Sequence, residues 1–374
     1  MAGVSASNTN FALDLLRTLS LANPDGNVFI SPFSISSALA MVYLGAKEET
    51  AAQMAKVLSF DENVHADFET LNADINLPSS SFTLKTANRL YGEKTTHFLQ
   101  DFLAATQKHY QSDLKAVDFM GAPEDCRQEI NGWVEEKTEN KIKELLKQGT
   151  VTTMTRLALV NAIYFKGNWM YRFDEANTKE MPFRVSVNET KSVKMMYQMK
   201  KLPYNYIPDY KVQILELPYA GEELSMFILL PEEGTSLGKL RNNLTPATLD
   251  EWTARENMDQ DSDVVVHLPK FKLEESYELN EALGKLGMTD VFCAAKADLS
   301  GMNGEGGLFL STVVHKAFVD VNEEGTEAAA ATAGMVSFCM VREEHFMADH
   351  PFLFFIRHNK TKSVLFLGSF RSPQ

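Results

Sequence analysis

The chain has few cysteines, a deficit of basic residues and no long apolar run, and each shortage removes a class of protein. Its three cysteines, Cys126, Cys293 and Cys339, are odd in number and widely spaced. They supply no disulfide framework, and a reducing compartment is the natural setting. Lys and Arg total 36 against 50 Asp and Glu, a formal net charge of -14. So acidic a chain repels phosphate backbones and anionic bilayers, and neither nucleic acid nor a membrane is expected as a partner. No stretch approaches the apolar length that crosses a bilayer. The segment from Met1 to Asn10 has no basic start and no apolar core, which argues against a cleavable signal peptide. The expected location is cytoplasmic, with release to the outside left open. No Pro-rich or Gly/Ser-rich linker and no internal repeat divides the chain. With 44% hydrophobic residues it can build a sizeable core, and one domain over residues 1–374 is expected.

What is present changes character along the chain. The first half reads as helical. Phe11, Leu15 and Leu19 share one helix face, with Asp14 and Arg17 between them. Ser31-Pro32 is a helix start followed by Ile35, Leu39 and Val42 at helical spacing, with Gly45 as the stop. Glu48 and Glu49 open another helix, and two more run through Phe98, Phe102, Thr106 and Tyr110 and through Ile130, Trp133 and Val134. The second half reads as strands. The run from Leu157 to Phe165 is nearly all apolar, as in a strand covered on both faces. Lys211 to Leu217 and Leu224 to Leu230 flank a turn and predict a hairpin. Val264 to Leu268, Phe352 to Ile356 and Val364 to Phe370 continue the pattern. Helices first and strands later predict an α+β fold.

Residues 323–340, Glu-Glu-Gly-Thr-Glu-Ala-Ala-Ala-Ala-Thr-Ala-Gly-Met-Val-Ser-Phe-Cys-Met, stand out. They follow a strand pattern in which His315, Ala317, Val319 and Val321 share a face. About thirty residues separate it from the next apolar run, and loops of that length inside a domain are usually functional or disordered. The composition is not that of a disordered segment. Four consecutive alanines, flanking threonines and no proline suit a chain that is exposed in one state and enters a close-packed place in another. Gly325 supplies backbone freedom at the pivot.

These residues, from Glu323 to Thr332, resemble the hinge of the reactive-centre loop of inhibitory serpins. Three further segments are similar to that family in the same order: Asn27 to Ile35, Leu159 to Trp169 and Ala348 to Ile356. The likeness covers roughly Asn8 to Phe370 and is nearest to the intracellular clade B members. It implies a serpin fold with three β-sheets, eight to nine helices and an exposed loop at about 323–346. It implies a suicide-substrate inhibitor of serine proteases, with Cys339-Met340 as the reactive bond. Gly325, Thr326, Glu327, Ala328, Ala329, Ala330, Ala331 and Thr332 are then the hinge that inserts into the main sheet. Ser31, Ser34, Asn161, Trp169 and His315 are the region where that sheet opens. Cysteine before the cut is modest in size and apolar and suits an elastase-like protease. Phe338 is a secondary cleavage candidate for a chymotrypsin-like enzyme. Cleavage after Arg342 would leave an arm three residues too long. A monomer without cofactor or metal is expected.

Three other readings compete. A non-inhibitory serpin, serving as a chaperone or binding protein, is opposed by the uninterrupted small-residue hinge. A cysteine hydrolase using Cys339, His345 and Asp349 or His350 has sequence proximity but no oxyanion feature, and a metal site on His345, Asp349 and His350 lacks ligand spacing. A weak glycosaminoglycan surface would use Lys137, Lys141, Lys143 and Lys147 on one predicted helix, or Lys191, Lys194, Lys200 and Lys201. Interleaved glutamates make an ion-paired, solvated face the simpler reading of the first group.

Overall fold

The apolar run at 157–165 becomes the middle of a sheet, where both faces of a strand are covered. In this computed structural model, which describes residues 3–324 and 342–374, the strand Leu157–Gly167 is buried over its first nine positions. It lies third in a five-stranded sheet ordered Phe271–Glu278, Thr312–Val321, Leu157–Gly167, Phe82–Glu93, Leu114–Val117. Its side chains alternate between two cores, as the two-residue period of a strand requires. Ala158, Val160, Ala162 and Tyr164 face Ile130 and Val134 of the helix Pro123–Lys137. Leu157, Leu159, Ile163 and Phe165 join the larger core, which also takes in the helix Pro32–Tyr43 and a second sheet.

That second sheet has six strands, ordered Val28–Ile30, Ser363–Phe370, Phe352–His358, Leu224–Pro231, Val212–Pro218, Tyr204–Ile207. The predicted hairpin is its Val212–Pro218 and Leu224–Pro231 pair, which is antiparallel. A third sheet of four strands is ordered Glu343–Met347, Asp263–Pro269, Glu189–Lys201, Lys179–Ser186. The architecture is α+β with three sheets. The N-terminal helix Val4–Ala22 buries Phe11, Leu15 and Leu19 as the spacing predicts. The Ser31 hydroxyl accepts the Ser34 N–H and caps the helix Pro32–Tyr43, with proline preset in its first turn.

The structure departs from the sequence reading at four points. Ten α-helices occur among the described residues where the family likeness implies eight or nine, and the count includes a piece as short as the single turn Ser300–Asn303. The twelve-residue strand Phe82–Glu93 interrupts the helical first half; its first half is only partly buried, and that blurs the alternation. The helix bearing Lys137 ends there, so Lys141, Lys143 and Lys147 are not on it. Glu139 and Asn140 follow with φ of 53° and 60°, left-handed backbone that a helix cannot continue through. Finally, Glu343–Met347 is a strand paired in parallel with Asp263–Pro269, so the exposed loop cannot extend to 346.

Candidate functional site

The two strands at the centre of the five-stranded sheet run in the same direction. Thr312–Val321 pairs in parallel with Leu157–Gly167, from Thr312 opposite Ala158 to Val319 opposite Phe165. Their outer neighbours, Phe271–Glu278 and Phe82–Glu93, are each antiparallel to them. A chain that leaves Val321 and doubles back runs antiparallel to both central strands. It can therefore be received between them, replacing one parallel ladder by two antiparallel ones.

At the middle of this seam His315 faces Asn161. The imidazole is fully buried and has partners on both nitrogens. Its Nε2 accepts the Ser31 N–H at 3.1 Å, which leaves the proton on Nδ1, and Nδ1 donates to Asn161 Oδ1 at 2.6 Å. Asn161 Nδ2 donates to the Ser34 hydroxyl at 2.7 Å. The Ser31 hydroxyl donates to the Leu365 carbonyl at 2.6 Å and thereby reaches the six-stranded sheet. Burial pushes the His315 pKa down to about 3, so the ring is neutral at physiological pH. Four of the residues expected at the opening region thus form one hydrogen-bonded chain that ties the two strands to each other and to the helix beneath. Opening the seam breaks a buried polar network, and that network is costly to leave half satisfied.

Trp169 is not part of this cluster. Six residue steps, roughly 20 Å of strand, take the chain from Asn161 to Gly167, and Trp169 lies beyond that end. Its indole N–H donates to the Asn322 carbonyl at 2.8 Å, and its backbone N–H donates to the Glu324 carbonyl at 3.2 Å. The ring stacks on Tyr219 with centroids 4.5 Å apart. Trp169 therefore holds the point where the chain leaves the sheet.

Sequence reasoning missed the rest of that anchor. Glu323 is 4% exposed, and its carboxylate accepts from Lys270 Nζ at 2.8 Å and from the Thr178 hydroxyl at 2.8 Å. Burial alone raises the Glu323 pKa, but the Lys270 and Thr178 hydrogen bonds outweigh it and hold the carboxyl below its usual range. Glu324 pairs with Lys166 at 2.5 Å. These partners come from separate elements, and nothing in the local pattern around 166, 178 or 270 singles them out. The hinge Gly325, Thr326, Glu327, Ala328, Ala329, Ala330, Ala331 and Thr332, with Phe338, Cys339 and Met340, lies outside the described residues.

The competing constellations find little support. His345 is exposed and paired with Glu343 at 3.0 Å. His350 is engaged by both Asp349 Oδ1 at 2.9 Å and the Pro231 carbonyl at 2.6 Å, which leaves no nitrogen free to act as a base. Among the described residues no group of three or more His, Cys, Asp or Glu could hold a metal ion. None of their helices is long and apolar enough to cross a membrane.

Comparison with known proteins agrees with this geometry of seam and exit anchor. The family model described as serpin (serine protease inhibitor) matches residues 6–373. The chain belongs to the serpin family. It is an inhibitor rather than an enzyme. This serpin is 58% identical to the leukocyte elastase inhibitors of Equus caballus and of Homo sapiens, each over the whole of both chains. Among solved structures it matches uncleaved ovalbumin at a TM-score of 0.93 and 37% identity, covering all of both chains. It matches maspin at 0.92 and 34% identity, over 99% of this chain and 98% of that one.

Proposed function

We propose that this serpin traps serine proteases of elastase-like and chymotrypsin-like specificity by cleavage at Cys339-Met340. The protease serine attacks the Cys339 carbonyl, the bond to the Met340 nitrogen breaks, and an acyl-enzyme remains on Cys339. The freed arm from Gly325 then enters the seam between Thr312–Val321 and Leu157–Gly167 and carries the protease to the far end. Distortion of the protease prevents water from releasing it. The arm has 14 residues beyond Gly325, about 46 Å when extended, which exceeds the length of the ten-residue strand Thr312–Val321.

The observation that carries this reading is the direct parallel pairing of those two strands, with the exit of one anchored at Glu323. Cysteine before the cut and phenylalanine one residue earlier support the protease class, as do the relatives named for leukocyte elastase. Free Cys126 and Cys293 suit a cytoplasmic setting. Neither lysine group supports a glycosaminoglycan partner. Lys143 is paired with Glu135 at 3.4 Å, and Lys191 and Lys194 point to opposite faces of the strand Glu189–Lys201.

The test is incubation with a neutrophil-type elastase and with a chymotrypsin-like protease, followed by denaturing electrophoresis. A band of summed mass that survives denaturation is expected. Clean cleavage of the loop without such a band would refute the trapping mechanism.

A further inference from the structure

Arg241 is a buried guanidinium with no ion-pair partner among the described residues. It belongs to the short helix Leu237–Asn243 and is 9% exposed. Its Nε is sealed from solvent and has no acceptor. Among the described residues no carboxylate pairs with it, and neither Nη has a hydrogen-bond partner. The Nη groups are not sealed and keep contact with solvent. A charge buried in this way is costly unless something compensates it.

The surroundings add positive charge. Arg17, on the N-terminal helix, lies against the same helix, with Nε donating to the Arg241 carbonyl at 3.3 Å and Nη2 donating to the Leu244 carbonyl. Its Nη1 is paired with Asp14 at 3.1 Å, so every nitrogen of that guanidinium is engaged. Arg371 follows the strand Ser363–Phe370, and its backbone N–H donates to Asn27 Oδ1 at 2.7 Å. Burial, then Arg371, then Arg17 lower the Arg241 pKa, and no acidic group acts in the opposite direction. In a chain of net charge -14, a cationic spot whose one nearby acid, Asp14, is taken up by Arg17 is a departure that folding alone does not require.

We propose that Arg241 binds a small oxyanion of phosphate or sulfate chemistry, with Arg17 fixing the backbone beneath it and Arg371 adding positive charge nearby. The two Nη groups of Arg241 present a fork of the kind that takes two oxygens of a tetrahedral anion. With so little of Arg241 open to solvent, a compact ion suits it better than a polyanionic chain lying flat across it. The site joins the N-terminal helix, the helix Leu237–Asn243 and the C-terminal strand. An anion there stabilises the fold through elements other than the two seam strands and the Glu323 anchor, so the inference is independent of the protease reading.

The test is thermal unfolding at one scan rate in a phosphate-free buffer, then with sodium phosphate, sodium sulfate or sodium chloride at matched ionic strength. The intact protein is compared with Arg241→Met and Arg371→Gln. Phosphate, sulfate or both should raise the unfolding temperature of the intact protein by about 2 °C or more beyond chloride. The rise should be lost in Arg241→Met and reduced in Arg371→Gln, and the phosphate and sulfate arms identify which anion is preferred. Calorimetric titration of the unmodified protein with phosphate and with sulfate needs no variant and should show saturable binding of at least one. No shift beyond chloride, or an equal shift in Arg241→Met, would overturn the proposal.

Discussion

Replacing His315 by alanine should loosen the seam that the loop enters. The imidazole is fully buried, donates to Asn161 at 2.6 Å and accepts from Ser31 at 3.1 Å. Its removal leaves Asn161 Oδ1 and the Ser31 N–H without partners in a dry interior. Each orphaned group costs about 1–3 kcal/mol, and two together about 2–6 kcal/mol. Once the seam opens, both groups can find other partners, so the loss falls mainly on the closed state. Spontaneous conversion to the inserted form should then accelerate by about 30- to 10⁴-fold, at tenfold per ~1.4 kcal/mol. The assay is the fraction of protein still able to form a denaturation-resistant protease complex after timed incubation at one temperature. The same residue sets a pH response. With a folded pKa near 3 against an ordinary 6.5, the unfolded state binds the extra proton between those values. Native stability should therefore fall as pH drops below 6.5, by up to ~1.4 kcal/mol per unit, and His315→Ala should lose that part of the slope. If His315→Ala converts at the unmodified rate and keeps the same pH profile, the latch plays no part in holding the seam closed.

Two other substitutions probe the loop and its anchor. Thr326→Arg or Ala328→Pro should turn the inhibitor into a substrate, because a buried charge or a missing ladder donor stalls insertion while cleavage continues. Gels should show cut serpin and active protease, and full trapping by either variant would exclude insertion of this segment. Glu323→Gln should lower stability by about 1–3 kcal/mol, since the Lys270 ammonium then loses its charged partner. Lys270 is partly exposed and can recover water, which keeps the effect toward the lower end. An unchanged unfolding temperature would show that the anchor contributes nothing.

The elements that were legible in the sequence are those with a strong local period. The N-terminal helix, the capped helix after Ser31, the covered strand at 157 and the hairpin at 212–231 each announce themselves through spacing or composition. The latch was reached through family likeness and not from pattern, because His315 and Asn161 stand 154 positions apart and look like isolated polar residues in apolar strands. The anchor at Glu323 was not legible at all. Thr178 and Lys270 are ordinary surface-type residues until the fold brings them to one carboxylate. The same holds for Arg241, whose lack of an ion-pair partner among the described residues exists only in three dimensions. The short helices and the half-buried strand Phe82–Glu93 escaped for a different reason, since neither buries enough side chains on one face to set a period.

On the trapping mechanism the uncut chain is held short of its most stable arrangement. Thermal unfolding of the intact protein beside the same protein nicked at Cys339-Met340 tests it most directly. Adding a strand contributes a dozen or so ladder hydrogen bonds at ~0.5–1.5 kcal/mol each, so the nicked form should unfold at a temperature higher by about 10 °C or more. Coincident unfolding of the two forms would contradict it.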